Sequence, residues 1–304
     1  MKKCISILIL LAFIFSDTSN QIMLDSNKKN TLDLENKRKI KAFFLSAFFS
    51  GAGQFYLGQY KKSAIYAGVE LAQWSFHQKY IDKSENFTNQ YKLFADQNWS
   101  FDKWVRDYYS FNSESNAMYS AFINIESNEY FDPWDESHGI KFFINSNPTK
   151  IYNTGNQDPE FPPLYQQWCG SNYRFECNGN FDDYTEYITV IKDHHHYEGI
   201  GKYNVYFSGW IDAVSGESWV DTLENNYRLA MSDNKDFYEN NLRLKSKKKH
   251  DVAENILATI FINHSLSMLD VLINFENKKQ ISINPYISLS ENNKISKLYI
   301  DIKW

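Results

Sequence analysis

SAFFSGAGQFYLGQYKKSAIYAGVE, residues 46–70, joins long apolar runs to four glycines, two glutamines and a Lys pair. The stretch is too apolar for a surface loop and too interrupted for one clean membrane helix. It resolves into two arms, Ala42 to Gly58 and Ser63 to His77, joined by Gly58-Gln59-Tyr60-Lys61-Lys62. Gly51 and Gly53 fall inside the first arm, and Gln54, Tyr56 and Gly58 lead into the turn. In the second arm Ala64, Gly68 and Ala72 recur every four residues, a small-residue seam that would let two helix backbones approach in lipid. The reading is a hydrophobic membrane hairpin over 37–80. Arms of 17 and 15 residues stand at or below the usual minimum for a span, so a re-entrant or shallow hairpin competes with a two-span one. Glu70 lies nearly opposite the seam and shares a face with His77. A carboxylate at membrane depth is a functional candidate by default. The alternative is that Glu70 faces a soluble domain and pairs with a Lys or a Tyr hydroxyl.

Upstream, the chain begins MKKCISILILLAFIFSDTSNQ, with Lys2 and Lys3 before the apolar run Cys4 to Phe15. Twelve residues rise about 18 Å as a helix, well short of a ~30 Å hydrocarbon core. The pattern is that of a secretory signal peptide over 1–20, with an uncleaved anchor as the alternative. No Ala-x-Ala site marks a cut. Residues 21–36 read as a polar linker, followed by the basic cluster Lys37, Arg38, Lys39 and Lys41. Behind a cleaved signal a two-span hairpin would leave that cluster outside, against the positive-inside rule; a shallow hairpin avoids the conflict.

The whole chain has 304 residues, net charge -5 and 17% aromatic residues, including 23 Phe and 21 Tyr. That acidic balance argues against nucleic acid as a partner, which calls for a basic field. Residues 81–277 read as an aromatic-rich, helical, water-soluble domain, with long loops at 128–182 where prolines concentrate. Helices are expected over 84–98, after a Ser100 cap, and from Asp183 through Ile191. Cys169 and Cys177, in WCGSNYRFECNGN, sit at turn-like spacing and are expected to form a disulfide in an oxidising compartment. Ile256 to Phe275 is long enough to span a bilayer, but Asn263, His264 and Asp270 interrupt it. An amphipathic helix packing on the hairpin or the soluble domain is set there against a third span. The alternation KLYIDIKW completes a C-terminal β-hairpin over 278–304. The expected fold is therefore mainly α.

The core Gly-x-Gly-Gln-Phe-Tyr-x-Gly, Gly51 to Gly58, followed by Lys and an Ala/Gly-rich helix, resembles an uncharacterised family of bacterial envelope proteins. That family is known only as a domain of unknown function with a two-helix membrane hairpin. The core is more loosely similar to hairpin domains that carry a Gly-x-x-x-Phe-Tyr-x-Gly turn. The family often has Pro at the position of Ser50, so this arm is expected to lack that helix break. Tyr197-Glu198-Gly199-Ile200-Gly201-Lys202-Tyr203, Gly209-Trp210 and Asn263-His264-Ser265 look like the same group. The resemblance implies a membrane-associated envelope protein with its soluble part in the periplasm, and no known activity.

The densest ionisable cluster is KDHHHYEGIGKYN. On a helix His194 or His195 can converge with Glu198, and His264 could join from elsewhere, a ligand set suited to zinc or iron. Three successive histidines point three ways, and no zincin or carboxylate-bridged iron pattern is matched; structural or pH-responsive histidines are the plainer reading. Gly199-Ile200-Gly201-Lys202 lacks Walker spacing and is read as a helix end, a glycine capping and Lys202 near the exposed carbonyls. No nucleophile elbow occurs. Two functions follow as expectations. The first is a structural or interaction module of the envelope, partnered by the bilayer and by other envelope proteins, with no cofactor. The second is a metal-dependent periplasmic enzyme using His194, His195, Glu198 and His264. Glu70, His77, Lys202 and Asn263 complete the candidate polar residues.

Overall fold

The computed structural model describes residues 26–124, 129–179, 181, 187–214, 216–223, 228–276, 282–289 and 295–303. The expected signal peptide lies outside the described residues. The chain is mainly helical, with small antiparallel sheets. Its larger helices are α1 (Ser26–Phe48), α2 (Ala52–Tyr56), α3 (Tyr60–Asn98), α4 (Phe101–Asp107), α5 (Phe161–Cys169), α6 (His194–Lys202) and α7 (Leu244–Glu276). The chain divides into two compact units: residues up to 77 with 254 onward, and residues 78–253.

In the first unit most of the expected linker is helical, because α1 starts at Ser26. The first arm is not continuous. Despite Ser in place of Pro, the helix stops at Phe48 and restarts at Ala52, with Gly51 at φ +91°. Only glycine adopts that conformation at little cost, and a Cβ there would meet the Ser63 carbonyl oxygen at 2.6 Å. The five-residue α2 then folds back on α1: a Cβ on Gly53 would stand 2.1 Å from the Ala42 carbonyl oxygen. A second reversal follows at Gly58, φ +79°. Because Ala47 meets His264 while Gln54 and Lys62 meet Asp270, α1 and α3 run the same way and α7 runs opposite to both. Where a two-arm hairpin is expected, the described residues form a helix, a short return helix and a second helix.

The helix after that turn passes the expected boundary near residue 80 without a break and ends at Asn98. At 39 residues it is about 58 Å long. Residues Glu254 to Glu276 belong to the first unit, not to the 81–277 segment in which they are expected. The C-terminal strands β8 (Ser282–Leu289) and β9 (Ile295–Lys303) pair antiparallel, with Ile283 opposite Ile302 and Tyr286 opposite Tyr299.

The second unit is organised around aromatic rings. Trp104, Trp168, Trp210, Tyr165, Tyr206, Phe142 and Phe161 are fully buried. Apart from Trp168 Nε1, which is buried without a partner among the described residues, their polar tips are satisfied: Trp104 Nε1 donates to Val205 O at 2.6 Å, Trp210 Nε1 to Ile200 O at 3.0 Å, and Tyr165 Oη to Val105 O at 2.8 Å. That is how large amphipathic rings can be buried without orphaned donors. Ser100 caps α4 as expected, accepting from Lys103 N. Pro162 and Pro163 stand in the first turn of α5, where a missing N–H costs nothing. The 128–182 region carries more structure than expected. Strands β3 (Lys141–Ile144), β4 (Ile151–Asn153) and β5 (Ile188–Val190) form a sheet of order β4-β3-β5, and α5 lies between β4 and β5 in sequence. The strand β5 replaces the helix expected through Ile191, because Phe142 and Phe143 of β3 pair with Val190 and Thr189. Cys169 and Cys177 form the expected disulfide.

Candidate functional site

Two helices carry polar residues at helical spacing. Tyr66, Glu70 and Gln73 lie on one face of α3, and Asn263, Ser267 and Asp270 on one face of α7. They meet inside the first unit together with Ser46, Ser50 and Gln54. Gln54 is completely buried and makes four hydrogen bonds. Its Nε2 donates to Ser267 O at 2.8 Å and to Asp270 Oδ2 at 3.1 Å; its Oε1 accepts from Ser267 Oγ at 2.9 Å and Ser46 Oγ at 3.2 Å. The backbone break at Ser50–Gly51 frees two amides that the network uses. Ser50 N donates to Glu70 Oε2 at 2.9 Å, and Gly51 N donates to Ser267 Oγ at 2.9 Å. Asp270 is fully buried and receives Lys62 Nζ at 2.9 Å.

Glu70 faces a histidine, not the Lys or Tyr hydroxyl expected on the alternative reading. His264 Nε2 lies 3.2 Å from Glu70 Oε1, and its Nδ1 lies 3.0 Å from the Ala47 carbonyl oxygen. Both neighbours are acceptors, whereas a neutral imidazole has one N–H. The ring is thus held between two oxygen acceptors, one from α1 and one from α3. With both nitrogens occupied, His264 cannot activate a nucleophile, and Ser50 Oγ donates elsewhere, to Asn263 O at 3.3 Å. Asn263 Nδ2 donates to Tyr66 O at 3.1 Å, while Gln73 Nε2 donates to Thr259 Oγ1 at 3.0 Å.

Much of the exterior of the same unit is apolar. Phe44, Phe48, Phe49, Phe55, Ile65, Leu71, Trp74, Phe76, Phe261, Ile262 and Leu269 are all exposed. Ala64, Gly68 and Ala72 are exposed too, and a Cβ on Gly68 would meet nothing within 4 Å. The seam expected to pack the hairpin thus points away from the unit's described interior, because the opposite, polar face of α3 is the one α2 and α7 cover. His77 stays outside the network and contacts Trp74 edge-on at 5.8 Å. Among the described residues one continuous helical run, Asp233–Ile273, which includes most of α7, is long and apolar enough to cross a membrane.

The histidine cluster of the second unit has a different character. Asp193 caps α6, accepting from His196 N at 2.9 Å. His194 and His195 are exposed, and His194 Nε2 and Lys202 Nζ lie 3.7 and 3.6 Å from Glu198. Among the described residues no group of three His, Cys, Asp or Glu side chains could hold a metal ion. The His194, His195, Glu198 and His264 set is corrected accordingly: His264 is engaged by Glu70, and successive histidines on one helix diverge. The glycines expected to end the helix lie within it, because α6 continues to Lys202. Gly201 is closely packed: a Cβ would lie 2.5 Å from Glu239 Oε2 and 2.9 Å from Tyr238 Cε1. Sequence reading passed over His196, the one member of the cluster that is buried, held edge-on to Trp99 and Tyr197. Burial, reinforced by Lys192, lowers its pKa to about 4 against the opposing pull of Asp96 and Asp193.

Ser46, Ser50, Lys62, Tyr66 and Ser267 were not singled out from sequence. The matched seven-residue polar spacing on α3 and α7 is the signal that could have found Tyr66 and Ser267; nothing local marks Ser46 or Ser50. Comparison with family models, with curated proteins and with solved structures finds no match to this chain.

Proposed function

We propose that the protein is a membrane-anchored envelope module, non-enzymatic, whose first unit sits in the bilayer and whose aromatic-rich second unit contacts partners outside it. The observation that carries this reading is the inside-out first unit: Gln54, Asn263, Ser267 and Asp270 buried, and Phe48, Phe49, Phe55 and Leu71 exposed. In water that arrangement wastes apolar surface, since large exposed apolar patches are rare on soluble monomers. In lipid it is favourable, because the bilayer takes the apolar exterior and helix association relies on interior hydrogen bonds. The short return helix suits this setting, since its freed amides at Ser50 and Gly51 find side-chain acceptors inside the unit. Periplasmic placement of the second unit is supported by the Cys169–Cys177 disulfide, which persists in oxidising compartments, and by the basic-then-apolar N-terminus.

The test is membrane fractionation of the expressed full chain. Carbonate washing should leave it in the pellet, and brominated acyl chains should quench Trp74, which is 47% exposed. Release by carbonate together with unquenched Trp74 would overturn the proposal.

A further inference from the structure

An open groove of about 580 Å³ runs beside the backbone break of the first unit, on Leu45, Phe49, Phe55, Tyr56, Ser63 and Ala67. Its size falls within the ~300–1,000 Å³ of small-molecule sites. The walls are predominantly apolar, and Tyr56 forms part of them. Two cations flank the face of that ring: Lys41 Nζ lies 5.4 Å and Arg38 Cζ 6.0 Å from its centroid. Arg38 and Lys41 lie three residues apart on α1, hence on one side of it, and both are exposed. Neither takes part in an ion pair among the described residues. An apolar slot ending at two unpaired cations calls for a ligand with a chain and a fixed anion joined together.

We propose that this groove is a binding site for an anionic phospholipid, one acyl chain lying along Phe49 and Phe55 and the phosphate resting against Arg38 and Lys41. The charge pattern selects this occupant over a second copy of the helix, which would bring apolar surface without an anion. The chemistry suits it as well, because a tyrosine of α2 flanked by two cations of α1 is the kind of cluster that meets lipid headgroups. The inference rests on the membrane reading above.

The full chain, purified in uncharged detergent, is titrated with phosphatidylglycerol, with phosphatidylcholine and with inorganic phosphate, and retained lipid is counted by native mass spectrometry. One phosphatidylglycerol should be retained in preference to phosphatidylcholine, and inorganic phosphate should not displace it. Removing both charges in the R38Q/K41Q variant should weaken phosphatidylglycerol binding about 25-fold, at roughly fivefold per basic residue. Ala67→Phe, which fills the slot, should abolish retention of both lipids. Equal retention of the two lipids by the native chain, unchanged retention by R38Q/K41Q, or displacement by inorganic phosphate each overturns the site. A chain that resists carbonate yet shows no headgroup preference removes the lipid site alone. A chain that carbonate releases removes the membrane reading first.

Discussion

Replacing Gln54 by Leu is the sharpest perturbation of the buried network, because the two side chains are similar in size and only the amide is lost. Four hydrogen bonds disappear, two donated by Nε2 and two accepted by Oε1. Side-chain hydrogen bonds between membrane helices average about 0.6 kcal/mol, so four sum to about 2.4 kcal/mol. Ser46 Oγ and Ser267 Oγ keep a role as acceptors from Gly53 N and Gly51 N, so the α2 return is loosened rather than abolished. Expressed as local opening, 2.4 kcal/mol corresponds to about a 50-fold faster amide exchange where exchange reports the opening equilibrium. Hydrogen exchange with mass spectrometry, on the full chain in detergent, should show this acceleration in peptides covering 49–58. Peptides covering 101–111 should be unchanged, because they belong to the aromatic unit. An acceleration below about threefold, or one shared equally by both units, would refute the idea that the amide of Gln54 holds the return helix.

Other consequences follow from particular side chains. Gly53→Ala should destabilise the first unit by about 1–3 kcal/mol, since its Cβ would overlap the Ala42 carbonyl, a rigid backbone atom. Gly68→Ala, facing open space on the same set of helices, should instead add about 1 kcal/mol through helix propensity; paired denaturation curves compare the two. His196 gives the second unit an acid sensitivity. Its native pKa of about 4 lies below the unfolded ~6.5, so between these values the unfolded state binds the extra proton. The neutral, buried ring costs nothing above pH ~6.5, and about 3 kcal/mol of stability is lost as pH falls to ~4. A His196→Leu chain should lack that share of the slope when stability is measured across this window. Reducing Cys169–Cys177, which closes an eight-residue step, should lower stability by about 2.5 kcal/mol, read by tryptophan fluorescence in denaturant with and without reductant.

Much of the secondary structure was legible in the residues themselves. The Ser100 cap, the disulfide spacing and the alternating C-terminal strands all announce themselves through local chemistry, whereas the break at Ser50–Gly51 comes where Ser in place of Pro argued for a continuous arm. Local signals failed where long-range packing overrode them. Residues 187–191 carry a helix-compatible pattern, yet β3 offered them a strand partner. Gly199 and Gly201 look like helix terminators, yet both lie inside the helix, Gly199 close against Tyr206 and Gly201 close against Tyr238 and Glu239. Ala64, Gly68 and Ala72 have the spacing of a packing seam, and sequence spacing gives a face without saying what covers it.

The sequence by itself determined that residues 42–77 form interrupted apolar helices bearing a lone carboxylate, because hydropathy, glycine and charge are local properties. Tertiary structure alone decided what that carboxylate meets. Glu70 and His264 are 194 positions apart. They come together because the break at Gly51 turns α2 back and frees the Ser50 amide, while α7 brings Asn263, His264, Ser267 and Asp270 against the same face of α3. Each of those buried polar groups would be costly alone in an apolar setting, and only their mutual hydrogen bonds make the interior stable.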